Sequence, residues 1–257
     1  MRAALVQFES GLDSAANRDM VAARLDQIES PVDLVVLPEA AMHDFGAPDH
    51  DLAAIAEPLD GPFVQLLAEQ AKRLDATIVA GLFEQNPDAP PFNTLVAVGP
   101  DGRLRAAYRK VHLYDSFGYR ESDRLSAGPI APVVVEVADT TIGLMTCYDL
   151  RFPEMARLLV DAGASALVLP AAWVAGSNKL HHWRTLLGAR AIENTVHVLA
   201  TAQGGPRYTG HSLVLDPMGA VLAEAGDGDE TLTASIDPGT VAAARDVNPS
   251  LANRRIR

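Results

Sequence analysis

Three side chains in this sequence are of types that together can open and rebuild an acyl bond: the thiol of Cys147, the carboxylate of Glu39 and the side-chain ammonium of Lys110. A thiolate is a strong nucleophile. A carboxylate emerging from a buried strand can have its proton affinity raised and serve as a general base. An ammonium held over a carbonyl oxygen stabilises the oxyanion that forms there. Taken singly, each has an ordinary alternative. Cys147 can be a small buried hydrophobe, Glu39 a capping or solvated carboxylate, and Lys110 a surface cation.

Their positions draw them out. Glu39 follows the apolar run 33–37 through Pro38, and Lys110 follows the β-type run 104–108. Cys147 ends the run Ile142-Gly143-Leu144-Met145-Thr146 and precedes Tyr148-Asp149-Leu150-Arg151-Phe152-Pro153-Glu154, where Pro153 suits the first turn of a helix. All three therefore sit just past strand ends, and in α/β sheets ligands gather outside the carboxyl ends of strands. A helix start just beyond Cys147 would favour its thiolate.

The elements that must position them alternate along the chain. Strands are expected at 3–8, 33–37 and 77–83, then a strand–turn–strand at 93–98 and 104–108 around Gly99-Pro100-Asp101-Gly102. Further strands are expected at 133–137, 141–145, 166–169, 196–201, 212–215, 220–223 and 232–236. Helices are expected at 14–29, with Ser14 as N-cap, and at 62–74, 153–162 and 179–194. No repeat, low-complexity stretch or Pro/Gly/Ser-rich linker divides the chain, so residues 1–257 are expected to form one α/β domain with mixed sheets covered by helices.

Composition excludes some function classes. A net charge of −12 is unsuited to phosphate backbones, so no nucleic-acid partner is expected. The one basic cluster, Arg254-Arg255-Ile256-Arg257, reads as a tail that is solvated or docked on a neighbour's acidic surface. A single cysteine allows no intramolecular disulfide and fits a reducing cytoplasm. The apolar run before Glu9 is too short for a signal peptide or a membrane span. The expectation is a soluble, cytoplasmic protein with no membrane partner.

Other chemistries find less support. His181 and His182 are adjacent, so on a helix they point about 100° apart and do not make the i, i+4 pair of a zinc site. Gly210-His211-Ser212-Leu213-Val214 lacks the last glycine of a nucleophile elbow. Gly226-Asp227-Gly228-Asp229-Glu230 completes no dinucleotide motif and reads as a turn.

Taken together, Leu37-Pro38-Glu39-Ala40, Arg109-Lys110-Val111-His112-Leu113 and Thr146-Cys147-Tyr148-Asp149-Leu150-Arg151-Phe152-Pro153-Glu154 resemble, in order, the three marks of the nitrilase superfamily of carbon–nitrogen hydrolases. The resemblance extends over nearly the whole chain, through Pro170-Ala171-Ala172-Trp173, Ala189-Arg190-Ala191-Ile192-Glu193-Asn194, Gly210-His211-Ser212 and Asp216-Pro217-Met218-Gly219. His182-Trp183 and Ala202-Gln203-Gly204-Gly205 look most like the branch of deaminated-glutathione amidases and ω-amidases.

The resemblance implies a four-layer α-β-β-α sandwich, assembled as a homodimer or higher homo-oligomer. It implies a second glutamate between lysine and cysteine, a place that Glu121 fits, to keep Lys110 charged and orient the substrate. It implies hydrolysis of a small carboxylate-bearing linear amide through a thioester on Cys147, with ammonia released and no metal or organic cofactor. The backbone N–H of Tyr148 would share the oxyanion with Lys110. Arg151 would clamp the substrate carboxylate or, alternatively, pair with Glu154 or Asp149. Trp173 would wall the pocket or fill the core. Nitrile and N-carbamoyl amino acid hydrolysis stay open, as does a non-catalytic binding module on the same fold.

Overall fold

The sorting of side chains along the first strand explains the layers of the molecule. In β1 (Arg2–Gln7) successive residues point to opposite faces. Ala3 and Leu5 join one apolar cluster, and Ala4 and Val6 join another. The same alternation runs through β2 (Leu34–Val36), β3 (Thr77–Glu84) and β4 (Phe92–Val98): Leu34, Val36, Val79, Leu95 and Ala97 face one way, Val35, Ile78, Ala80, Val96 and Val98 the other. The second set meets Val21 and Leu25 of α1 (Ser14–Asp26) and Phe63, Val64, Leu67 and Ala71 of α2 (Pro62–Leu74). The first set meets a second sheet. Residues 1–29 and 31–256 are described in this computed structural model.

The first sheet has the order β14-β1-β2-β3-β4-β5, where β5 is Leu104–Arg109 and β14 is Glu230–Ser235. The second comprises β8 (Val134–Val137), β9 (Thr140–Leu144), β10 (Ala166–Ala171), β11 (His197–Ala202), β12 (Leu213–Leu215) and β13 (Val221–Glu224), in the order β13-β12-β11-β10-β9-β8. Each sheet has three parallel strands at its centre (β1, β2, β3 and β9, β10, β11) with antiparallel neighbours outside. Those central strands are buried along nearly their whole length, as parallel strands covered on both faces should be. The helices α3 (Pro153–Asp161) and α4 (Lys179–Asn194) cover the second sheet, burying Met155, Leu159, Trp183 and Leu187. The result is the four-layer α-β-β-α sandwich.

Element positions agree with the sequence to within a few residues, with instructive departures. The N-cap of α1 is Asp13, not Ser14: the Asp13 carboxylate accepts from the backbone N–H of Ala15 and Ala16 at 2.9 and 3.2 Å. A further helix, α5 (Pro238–Val247), went unforeseen because it buries only Val241 and Ala244 and so leaves no apolar stripe to read. A two-stranded ribbon, β6 (Asp115–Ser116) with β7 (Tyr119–Arg120), stands apart from both sheets. Of the basic tail, Arg254 is paired with Asp161 at 2.6 and 3.0 Å rather than solvated, and Arg257 lies outside the described residues. No described helix is long and apolar enough to cross a membrane.

Candidate active site

The loop after β2 carries Glu39 to the ends of both sheets. Gly81 of β3 makes this possible: a Cβ there would stand 2.6 Å from the Ala40 nitrogen and 2.7 Å from the Glu39 Cα. The close approach is sealed by Gly81 N–H donating to the Pro38 carbonyl and Met42 N–H to that of Gly81. Ala40 has φ +56°, a left-handed conformation that costs an alanine on the order of 1 kcal/mol or more. Gln203 holds the loop from the second sheet. Its side-chain amide donates to the carbonyls of Glu39 and Ala40 at 2.9 and 3.3 Å.

The Glu39 carboxylate is fully buried and held from three directions. Oε1 accepts from Lys110 Nζ at 2.9 Å and from Asn93 Nδ2 at 2.7 Å, while Oε2 accepts from the Ala172 backbone N–H at 2.6 Å. Lys110 follows β5, and its backbone N–H donates to the Asn93 carbonyl at 2.8 Å, which fixes the strand-end register. Its ammonium also donates to Glu121, at 2.9 and 3.1 Å to the two oxygens. Glu121 is pinned in turn. Its Oε2 accepts from the Tyr114 N–H at 2.6 Å, and its own N–H returns a bond to the Tyr114 carbonyl at 3.1 Å. The short connection from 115 to 119 therefore still delivers Glu121 to Lys110.

Burial alone would lower the lysine, but the carboxylates of Glu121 and Glu39 reverse it and hold the ammonium well above the ordinary lysine value. The ammonium is thus paired in a setting where an unpaired charge would be severely penalised.

Cys147 opens a short 3₁₀ turn, Cys147–Arg151, two residues beyond the end of β9. Its φ of +45° is left-handed, a strained conformation that turns the side chain out of the strand direction toward the cluster. Cys147 is 7% exposed and lines the same cavity as Glu39. The pull toward a thiolate expected at a helix start is opposed in this site. Burial and then the Glu39 charge push the thiol well above its usual value, and Lys110 only partly offsets them.

Asp149 locks the turn to the lysine strand. It accepts from the Thr146 N–H at 2.8 Å, the Tyr108 hydroxyl at 2.6 Å, and the His112 N–H and Nδ1 at 3.1 and 2.8 Å. Tyr108 and His112 lie two residues either side of Lys110, so one carboxylate sets cysteine and lysine relative to each other. On the far side, the Leu150 carbonyl accepts from Arg190 Nε and Nη2 of α4 at 3.1 and 2.8 Å.

Glu39, Lys110, Glu121 and Cys147 line one cavity of about 460 Å³ together with Tyr148, Arg151 and Trp173. All seven residues singled out in the sequence thus meet at one place. Arg151 pairs with neither Glu154 nor Asp149; its guanidinium lies 4.9 Å over the Trp173 ring and 6.0 Å from that of Tyr148. Trp173 is both core and wall, 3% exposed yet facing the cavity.

The sequence assigns no site role to Asn93, Asp149, Gln203, Tyr108 or Arg190, although Asp149, Arg190 and Gln203 lie within the stretches that carry the family resemblance. Asn93 and Tyr108 have no signal beyond a polar group inside or beside an apolar run. Ser212 is buried and engaged, donating to Gln7 Oε1 and accepting from the Ala202 N–H, both within 2.9 Å. Among the described residues no group of three or more His, Cys, Asp or Glu is placed to hold a metal ion.

Known proteins resemble this chain in sequence and in fold. A family model described as Carbon-nitrogen hydrolase matches residues 2–246. The chain is similar to the hydrolase Rv0480c of Mycobacterium tuberculosis, 38% identical over 263 residues covering 96% of this chain and 92% of the relative. It is similar to the deaminated glutathione amidase of Escherichia coli O157:H7, 40% identical over 230 residues covering 88% and 86%. It is also similar to the omega-amidase NIT3 of Saccharomyces cerevisiae, 32% identical over 273 residues covering 99% and 93%. The crystal structure of yeast Nit3, a member of the nitrilase superfamily, superposes with a TM-score of 0.89 over 100% of this chain and 97% of that one, at 31% identity. Match length, fold and the amidase names of these relatives converge: the chain belongs to the carbon–nitrogen hydrolase family and is a carbon–nitrogen hydrolase of the nitrilase superfamily.

Proposed function

We propose that residues 1–257 act as one catalytic domain that hydrolyses a small linear amide bearing a carboxylate, with Cys147, Glu39, Lys110 and Glu121 as its catalytic group. The observation that carries this is a buried thiol sharing one cavity with a buried, fully hydrogen-bonded carboxylate–ammonium cluster, below a wall of cations that have no carboxylate partner among the described residues.

Glu39 takes the proton from Cys147 as the sulfur attacks the carbonyl carbon. The oxyanion is held by Lys110 and by the N–H of Tyr148. Tyr148 is the second residue of its turn, where a helical N–H has no acceptor within the helix. Lys110 has three N–H bonds for two carboxylates, so one can turn to the oxyanion if Glu121 shares another between its oxygens. Glu39 passes its proton to the leaving nitrogen as the C–N bond breaks, releasing ammonia from a primary amide and leaving a thioester. Glu39 then deprotonates a water, which displaces the sulfur; the acid departs and Cys147 regains its proton.

Arg151 and Trp173 line the acyl pocket in this reading, and the catalytic steps need no metal or cofactor. Deaminated glutathione amidase and omega-amidase among the relatives point the same way. We further infer a homo-oligomer in the cytoplasm. Ile192 on α4 and Met218, Val221 and Leu222 around β13 stay about half exposed, an apolar surface suited to a second copy.

The test is release of free acid from a panel of ω-amides of dicarboxylic acids, neutral amides, nitriles and N-carbamoyl amino acids. Turnover of a carboxylate-bearing amide, absent in Cys147→Ala, is expected. Turnover confined to nitriles or N-carbamoyl compounds would overturn the substrate assignment. Activity surviving Cys147→Ala would overturn the mechanism.

A further inference from the structure

Besides Lys110, three cations line the cavity: Arg151, Lys179 and Arg207. Arg207 is accounted for, since it pairs with Asp44 and donates to the Gly46 carbonyl at 2.7 Å. The other two have no carboxylate partner among the described residues. Nε and Nη2 of Arg151 are buried without an acceptor. Lys179 Nζ reaches only the Tyr114 hydroxyl, at 3.1 Å. The carboxylates lining the same cavity, Glu39 and Glu121, are already bound to Lys110.

The two cations share one aromatic frame. Arg151 stands over the Trp173 ring at 4.9 Å, and Lys179 Nζ lies 5.8 Å from that ring, 5.1 Å from Tyr114 and 4.3 Å from Phe117. The frame is anchored, because Trp173 Nε1 donates to the Lys179 carbonyl at 3.0 Å. Ring faces ease the burial of a cation but supply no acceptor for its remaining N–H groups. Two like charges here also oppose each other: burial and then Arg151 push the Lys179 ammonium below its usual value. An anion between them would relieve both.

Building on the amidase reading of this cavity, we propose that Lys179 joins Arg151 in a two-point anion subsite, which makes Lys179 a specificity-determining residue for acyl chains that end in a carboxylate. Arg151 offers a planar fork and Lys179 a point charge from a different element, so a carboxylate held by both is fixed in distance from Cys147. The subsite then measures chain length as well as charge.

The test uses methyl ketones that mimic an ω-amide but carry no leaving nitrogen: 4-oxopentanoate, 5-oxohexanoate and 6-oxoheptanoate, with neutral 2-hexanone for comparison. Each is titrated calorimetrically into wild type, Lys179→Met, Lys179→Arg and Arg151→Met. One keto acid should bind wild type about 10-fold or more tighter than 2-hexanone, as charge-assisted hydrogen bonds allow. Lys179→Met and Arg151→Met should each erase most of that preference, and Lys179→Arg should restore much of it. If Arg151→Met removes the preference and Lys179→Met leaves it intact, Lys179 is no part of the subsite, and the amidase reading stands without it. If no keto acid outbinds 2-hexanone in wild type, the carboxylate assignment falls and this inference falls with it.

Discussion

At the floor of the cavity every charge is answered. Glu39 accepts three hydrogen bonds, and Lys110 donates to two carboxylates that other elements already hold. On the wall, Arg151 and Lys179 sit among aromatic rings with no carboxylate partner among the described residues. The floor carries two carboxylates and one ammonium, a surplus of negative charge; the wall carries a surplus of positive. The groups proposed to handle protons and a developing oxyanion are fixed before substrate arrives, which spares reorganisation during the reaction. The groups proposed to recognise substrate are left incomplete, so that the ligand completes them.

If that contrast is right, changes at the floor should abolish chemistry, and changes on the wall should alter only which ligand is taken. The largest effect is expected for Cys147→Ala, which removes the attacking atom and should lower free-acid release by at least about 10⁴-fold. Next is Glu39→Gln, with a fall of about 10³-fold or more in kcat, and it has a second readout. Burial and then the Glu39 charge hold the Cys147 thiol up, while Lys110 pulls it down. Neutralising residue 39 leaves the lysine less opposed, so the thiol should titrate at lower pH. The pH profile of iodoacetamide labelling, read by intact mass, should shift toward neutrality as turnover disappears. A profile that stays put or moves up would show that Glu39 does not control the sulfur.

A middle-sized effect is expected where the floor is braced. Asp149→Asn places an amide where four donors need a carboxylate. Losing those charge-assisted bonds in a buried site should cost about 2–3 kcal/mol, or roughly 5–10 °C in Tm for a chain of this size. Because Asp149 ties the Cys147 turn to Tyr108 and His112, kcat should also fall about 10–100-fold with KM little changed. Tyr108→Phe removes one of those bonds and should show the same pattern at about 1 kcal/mol. A loss of stability with kcat intact would make Asp149 a purely structural brace.

This difference also marks what the sequence made legible. Glu39, Lys110 and Cys147 each interrupt an apolar run where a strand ends, and a polar residue in that place stands out. Arg151 was visible through its place in the cysteine turn. The braces were not. Asn93 and Gln203 lie 54 and 164 residues from the glutamate they hold, and only the register of β4 beside β5 and the packing of one sheet on the other bring them there. Lys179 was readable as the start of a helix, but nothing local to it says that the helix begins over Trp173. Long buried strands and stripe-bearing helices announced themselves. The short ribbon of β6 and β7 buries too little to leave a pattern, although it carries part of the cavity wall.

That ribbon supplies the smallest effect and the sharpest test of the wall. Its two-residue turn has Phe117 at φ +53° and Gly118 at φ +80°. Glycine takes such angles freely, whereas a bulky side chain at positive φ is strained by on the order of 1 kcal/mol. Asparagine is a favoured residue there, yet this chain carries a phenylalanine that is 71% exposed, with its ring 6.4 Å from Tyr114 and 4.3 Å from the Lys179 ammonium. An apolar ring kept in a strained, solvated place is not explained by folding. Phe117→Asn should therefore leave Tm unchanged or slightly raised, because the turn relaxes and little burial is lost. It should raise KM for a carboxylate-bearing amide a few-fold and leave kcat alone, since it removes one ring from the frame around Lys179 and touches nothing at the floor. A fall in kcat instead would mean that the ribbon reaches Glu121 through Tyr114, and that floor and wall are not separable.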